Sequence, residues 1–116
     1  MQKSSNLIVD SSKDFAVRII KLCFYLKENK TDRELVKQLL KSGTSIGANV
    51  HEAIQAQSKA DFISKMNIAL KEASETEYWL EIFFKANILT ESEYKSINED
   101  CIKINKILTS IVKSSK

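Results

Sequence analysis

Apolar residues recur every three or four positions along most of this chain, a spacing that places them on one face of an α-helix. The first such stripe is formed by Phe15, Ile19, Leu22 and Leu26. Three further runs follow, each separated from the last by a short polar stretch. The pattern predicts helices over 12–29, 32–57, 59–86 and 91–113. Residues 1–11 are expected to form a flexible N-terminus ahead of one domain over 12–113.

Helix boundaries are marked by capping signatures. Thr31, Ser58 and Thr90 are each followed three residues later by an acidic residue, the arrangement of a capping box. Asn87 is a candidate for the C-terminal end of the third helix, because asparagine tolerates the left-handed backbone conformation. Links this short force consecutive helices to lie antiparallel. The predicted fold class is all-α, an antiparallel up-down-up-down four-helix bundle.

Composition supports this prediction and excludes other classes. The 116 residues contain no proline and only two glycines, whereas an all-β chain needs frequent turn residues. Hydrophobic residues make up 43% of the chain, too many for a disordered protein. No leader-like apolar segment opens the sequence, and no apolar run approaches the roughly twenty residues of a membrane span. We therefore expect a cytoplasmic protein without membrane contact.

The glycines, Gly43 and Gly47, lie four residues apart within the second helix. Each costs about 1 kcal/mol relative to alanine in a helix, so we expect another helix to approach the backbone closely there. A row of polar residues lies beside the glycines on the second helix. On the third helix, Glu77 falls within the apolar stripe. These residues predict a polar network between the second and third helices, formed by Ser45, Asn49, Glu52 and Glu77.

The net charge of +3 conceals a strong asymmetry. Residues 1–71 carry 12 Lys and Arg against 7 Asp and Glu, residues 72–100 carry 2 against 8, and residues 101–116 carry 4 against none. Opposite charges on different segments suit antiparallel neighbours or subunits that meet positive to negative. Candidate nucleic-acid contacts on the polar sides of the first two helices are Arg18, Lys21, Arg33, Lys37 and Lys41.

The first and third helices carry more apolar residues than one stripe requires. In the third helix this second group is expected to point away from the core, and an exposed patch of that kind favours self-association. Trp79 is the natural anchor of such an interface. The predicted oligomer interface is formed by Ile68, Trp79, Ile82 and Phe83.

The sequence gives little support for a catalytic site or a metal-binding site. Di-iron bundles use two Glu-x-x-His motifs, whereas His51 is the single histidine here and residue 48 is alanine. Cys23 and Cys101 occupy apolar helical positions, which favours reduced core thiols over a disulfide or a metal pair. No phosphate loop or dinucleotide fingerprint is present. We predict a protein that is not an enzyme and that holds no cofactor and no metal.

Two segments resemble a known family. The run from Lys37 to Ala53, with its Ser-Gly-Thr-Ser-Ile-Gly-Ala-Asn core, and the runs 61–73 and 75–80 resemble the four-helix-bundle proteins encoded in intervening sequences of bacterial 23S rRNA genes. The accessory variability determinant proteins of diversity-generating retroelements are relatives of that family. The resemblance covers about residues 12–112. His51 and Ala53 depart from it, since small residues and glycine are usual there.

The resemblance implies an antiparallel bundle that assembles as a barrel-like homopentamer with basic surfaces. The retroelement relatives bind nucleic acid and a reverse transcriptase, which makes RNA or DNA the expected partner here. The intervening-sequence members have no established activity. A protein-protein interaction scaffold that binds no nucleic acid is the alternative.

Overall fold

The computed structural model describes the backbone of residues 3–115 and the side chains of residues 6–115. It contains four helices and, within those residues, no strand. The helices are α1 (Lys3–Glu28), α2 (Arg33–Ile54), α3 (Lys59–Lys85) and α4 (Glu91–Ser115). The predicted all-α four-helix architecture is confirmed.

The four helices lie at the corners of a square in cross-section, and the bundle is 44 Å long and 21 by 18 Å across. Each helix packs against its neighbours in sequence, and α1 closes the square against α4. Within the described residues, the backbones of the diagonal pairs do not approach each other. This is the packing of an up-down-up-down bundle, and the α1–α4 contact is the least extensive of the four. Within residues 3–115, no helix combines the length and apolar character that a membrane crossing requires.

Helix ends largely follow the predicted caps. Ser58 accepts a hydrogen bond from the Asp61 amide, and Thr90 and Glu93 bond reciprocally, as a full capping box does. At α2, however, Asp32 is the cap in place of Thr31, and its carboxylate accepts from two amides of the first turn. Asn87 has the expected left-handed backbone, with φ of 61°. Lys30 has the same conformation and ends α1 in the same way, which the sequence did not indicate.

The first helix begins at Lys3, nine residues before the predicted start, so the prediction of a flexible N-terminus was wrong for residues 3–11. Residues 1 and 2 lie outside the described part of the chain. Ile8 is fully buried and Ser12 is 1% exposed, because both continue the α1 stripe that leads to Phe15 and Ile19. The serines of this segment look like loop residues, yet the hydroxyl of Ser12 donates to the Val9 carbonyl and is satisfied within the helix.

The two glycines of α2 make room for α1, so the predicted close approach is confirmed and its partner identified. A Cβ added to Gly47 would lie 3.2 Å from the carbonyl oxygen of Ser12. Gly43 lies one turn away, beneath Ile19. Small residues therefore let two helix backbones pack more closely than larger side chains would allow.

Candidate nucleic-acid interface and assembly surfaces

Three of the five predicted phosphate contacts form one row on α2. Arg33, Lys37 and Lys41 are all exposed, and their spacing of four residues stacks them along about 12 Å of the helix. Within the described residues, no carboxylate lies within 4 Å of these three side chains. Lys21, on α1, is also exposed and lines the groove between α1 and α4. We call Arg33, Lys37 and Lys41 the basic row.

Arg18 has a different environment. Its guanidinium donates to Asp100 Oδ2 at 2.6 Å, and it also donates to the carbonyl and the hydroxyl of Ser96. These bonds join α1 to α4 across the least extensive contact of the bundle. The guanidinium is therefore engaged within the chain, and Arg18 does not belong with the basic row.

The structure does not form the four-residue polar network predicted between α2 and α3, and of its members only Ser45 lies beside a polar group of the facing helix, Glu72. The side chains of Ser45 and Asn49 donate to backbone carbonyls of their own helix, at 2.6 and 2.8 Å, and Glu52 is exposed. Glu77 lies half-buried on the α4 side, in a shallow groove that Tyr94 and Asn98 also line. The prediction failed because neighbouring residues of a helix point about 100° apart. Thr76 occupies the buried position of α3, and the adjacent Glu77 therefore lies on the side that faces α4.

The polar contact between these helices instead involves Glu72, which sequence reasoning did not select. Burial raises the pKa of its carboxyl group, and the neighbouring charge of Glu75 raises that pKa further. The hydroxyl of Ser45 and the ammonium group of Lys41 lower it in part. The sequence carried no signal that separates Glu72 from the other acidic residues of α3.

The predicted oligomer interface is only partly on the surface. Ile68 is 38% exposed, and Trp79 and Ile82 are half-buried. Phe83 is fully buried, so its assignment to an interface was wrong. The core stripe of α3 continues past Leu80 in a step of three, and this step places Phe83 inside the bundle. The next residue, Phe84, is half-buried and stacks on Tyr94.

A second apolar surface lies on α1. Val17, Ile20 and Phe24 are 52%, 38% and 60% exposed, and their spacing of three and four places them on one line of the helix. The ammonium group of Lys27 lies 5.9 Å from the centre of the Phe24 ring. The sequence indicated that α1 is too apolar for one covered face, but not which residues would remain exposed. We call Val17, Ile20 and Phe24 the α1 ridge.

No chemistry beyond binding is evident in the described residues. Burial raises the pKa of the Cys23 thiol to about 11 and that of the Cys101 thiol to about 12, and both cysteines are free. Such thiols do not act as nucleophiles near neutral pH. His51 is exposed, and within the described residues no three His, Cys, Asp or Glu side chains form a group that could hold a metal ion.

Comparison with known proteins relates this geometry to a family. A solved structure described as a protein of unknown function from the S23 ribosomal protein family of Bacteroides thetaiotaomicron is 54% identical and superimposes with a TM-score of 0.92. The match covers 95% of this chain and 98% of the other. A search among curated proteins found no match. The family model for the 23S rRNA-intervening sequence protein matches residues 4–110. This chain therefore belongs to the family of 23S rRNA-intervening sequence proteins.

Proposed function

We propose that this protein is a non-enzymatic adaptor that self-associates and binds RNA through the basic row. The observation that carries the proposal is that Arg33, Lys37 and Lys41 are exposed in one line, and that no carboxylate of residues 6–115 lies within 4 Å of them. Cations that are not already paired can neutralise phosphates and release counterions, the main source of affinity for nucleic acid. The names of the family and of the solved relative refer to 23S rRNA and to a ribosomal protein, which makes 23S rRNA the first ligand to test.

One copy offers too few cations for tight binding, so the proposal includes an oligomer. The α1 ridge and the exposed side chain of Ile68 give each copy two apolar surfaces on different helices. Lysines flank the ridge, whereas Glu72 and Glu75 lie on the same helix as Ile68. A head-to-tail interface between the basic α1 of one copy and the α3 of the next, which is acidic from Glu72 onward, would bury both surfaces. Repetition of the basic row around the assembly would then multiply the phosphate contacts.

RNA binding is tested by gel shift and filter binding on fragments of 23S rRNA, at salt concentrations from about 50 to 200 mM. We expect affinity to fall steeply with salt, and the triple variant Arg33→Gln, Lys37→Gln, Lys41→Gln to bind more weakly with a shallower salt dependence. The matched control removes three exposed lysines of α3 and α4, as Lys59→Gln, Lys71→Gln, Lys95→Gln. Equal loss in both triple variants would contradict a role for the basic row.

Self-association is tested separately, by light scattering during gel filtration. Wild-type protein should elute as more than one copy, and Phe24→Glu or Trp79→Glu should reduce the mass while leaving the helical circular dichroism intact. A monomer at micromolar wild-type concentration would refute the oligomer. The α1 ridge also fits the alternative, a protein-interaction scaffold, and that function would remain if the oligomer forms but shifts no RNA at low salt.

A further inference from the structure

A groove between α3 and α4 combines aromatic walls with unpaired negative charge, and the proposed function does not use it. We call it the α3–α4 groove. It is lined by Ser74, Glu77, Tyr78 and Glu81 of α3 and by Tyr94, Asn98 and Ile102 of α4. Its volume is about 340 Å³, at the lower end of the range for ligand sites. The groove therefore has room for a side chain of a partner and not for a whole helix.

Packing within the chain holds the two aromatic walls in place. The Tyr94 ring stacks on Phe84 with ring centres 4.7 Å apart, and its hydroxyl accepts a hydrogen bond from Asn98 Nδ2. The Tyr78 ring packs at a steep angle against Trp79, with ring centres 5.1 Å apart, yet Tyr78 is 54% exposed. A ring that its neighbours already hold loses little conformational freedom when a ligand stacks on it. The faces of such rings attract cations.

The carboxylates of Glu77 and Glu81 are not neutralised by basic side chains of residues 6–115, none of which lies within 4 Å of either. The two residues are four apart, so they lie on the same side of α3. Glu91 and Glu99 of α4 differ, because each is paired with a lysine one turn further along. Burial raises the pKa of the Tyr94 hydroxyl, and the charges of Glu81 and Glu77 raise it further, so both carboxylates act at the groove.

The surrounding charge favours a cationic ligand. From Glu72 to Glu81, α3 carries 4 acidic residues and no basic residue. A polyanion is repelled by this surface, so nucleic acid does not fit it. Aromatic walls add little to the binding of a hydrated metal ion, whereas a guanidinium group stacks on a ring and also bonds to carboxylates. The combination of rings and carboxylates therefore points to arginine.

We propose that the α3–α4 groove binds an arginine side chain from a basic segment of a partner protein. The guanidinium stacks on Tyr78 and donates to the carboxylates of Glu77 and Glu81, a planar and forked geometry that lysine does not provide. Ile102, which is 38% exposed, lies beside the groove and covers the aliphatic part of the bound side chain. The α1 ridge and the basic row lie on other helices, so the proposal does not depend on the proposed function.

Fluorescence anisotropy with a labelled peptide tests the carboxylates. The probe is an alanine-based helical peptide that carries two arginines four residues apart. Glu77→Gln with Glu81→Gln should weaken binding about five- to thirtyfold, because two solvent-screened ion pairs are lost. The matched control, Glu52→Gln with Glu75→Gln, removes the same charge from exposed positions outside the groove and should have less than about a twofold effect. Equal loss in the two double variants would overturn the proposal.

The aromatic wall and the choice of arginine are tested with the same assay. Tyr78→Ala should weaken binding about two- to fivefold, whereas Tyr78→Phe keeps the ring and should bind as the wild type does. A peptide with lysine in place of arginine should bind more weakly, and one with citrulline, which is planar but uncharged, should not bind measurably. A lysine peptide that binds as tightly as the arginine peptide would overturn the assignment.

The location of the bound peptide is measured by NMR. Changes in amide chemical shift on addition of the arginine peptide should fall within residues 74–81 and 94–102. The triple variant of the basic row should retain the affinity for the peptide, so failure of RNA binding and failure of this proposal are distinguishable. Shift changes confined to α1 and α2, or binding that the triple variant abolishes, would overturn the proposal.

Discussion

Gly43 of α2 lies so close beneath Ile19 of α1 that a Cβ at this position would be 2.8 Å from both Cγ1 and Cγ2 of that side chain. Real Cβ atoms do not approach other atoms this closely, and Ile19 is fully buried and cannot turn away. The absence of a side chain at residue 43 is therefore a packing requirement of the α1–α2 contact.

The first prediction follows from this contact. Gly43→Ala gains about 1 kcal/mol of helix propensity, but overpacking costs ~1–3 kcal/mol, so we expect a lower free energy of unfolding in urea. Gly47→Ala meets the Ser12 backbone at 3.2 Å and needs only a small shift, so it should be nearly neutral. Ile19→Ala, which removes both Cγ atoms that the new Cβ would meet, should cost less in the Gly43→Ala background than alone. A Gly43→Ala variant more stable than Gly47→Ala would contradict this account.

The second prediction concerns the link between α1 and α4. The side chains of Arg18 and Asp100 are 41% and 43% exposed, so solvent screens their ion pair. Asp100→Asn should therefore lower the free energy of unfolding by only ~0.5–1 kcal/mol. Arg18→Gln should cost more, because it also removes the bonds to Ser96. Only the contribution of the ion pair to the free energy of unfolding should diminish in high salt. Urea denaturation at low and high salt measures both effects, and equal costs for the two variants would argue against the Ser96 bonds.

The third prediction is a pH dependence at Glu72. Its pKa is raised in the folded protein, first by burial and then by Glu75, so the folded state binds the proton more tightly than the unfolded state. This group's contribution to stability is therefore complete below the ordinary carboxyl pKa and is lost as pH rises through the folded pKa. We expect Glu72→Gln to raise the free energy of unfolding at pH 7 and to have less effect near pH 4.

Glu75→Gln is the matched comparison for that measurement. It removes the repulsion but not the burial of Glu72, so its stabilising effect at pH 7 should be smaller. Urea denaturation across this pH range distinguishes the two variants. A Glu72→Gln protein that is less stable than wild type at pH 7 would show that the hydroxyl of Ser45 and the charge of Lys41 outweigh the cost of burial.

The fourth prediction concerns the two thiols. With pKa values of about 11 for Cys23 and about 12 for Cys101, almost no thiolate exists at pH 8, and both side chains are covered by the bundle. We expect negligible reaction with a thiol reagent in the native state and two equivalents after unfolding in guanidinium. Rapid reaction of either native thiol would show that the bundle opens more readily than its packing suggests.

Local features of the sequence determined the four helices and most of their ends. The spacing of apolar residues, the hydroxyl and acid pairs at Ser58 and Thr90, and the tolerance of Asn87 for a left-handed backbone all act over a few residues. The glycines of α2 likewise indicated a close helix contact, since a side chain there would stand between two backbones.

Only the tertiary structure determined which face of each helix packs against which neighbouring helix. The apolar arcs of α1 and α3 are wide, so periodicity alone leaves the rotation of each helix open by about one residue, and that error moved Phe83 out of the core and Glu77 to the wrong neighbour. The bond between Arg18 and Asp100 joins residues 82 positions apart. Such a pairing exists only after the bundle closes, because its energy depends on the distance between two helices and not on the pattern within either one.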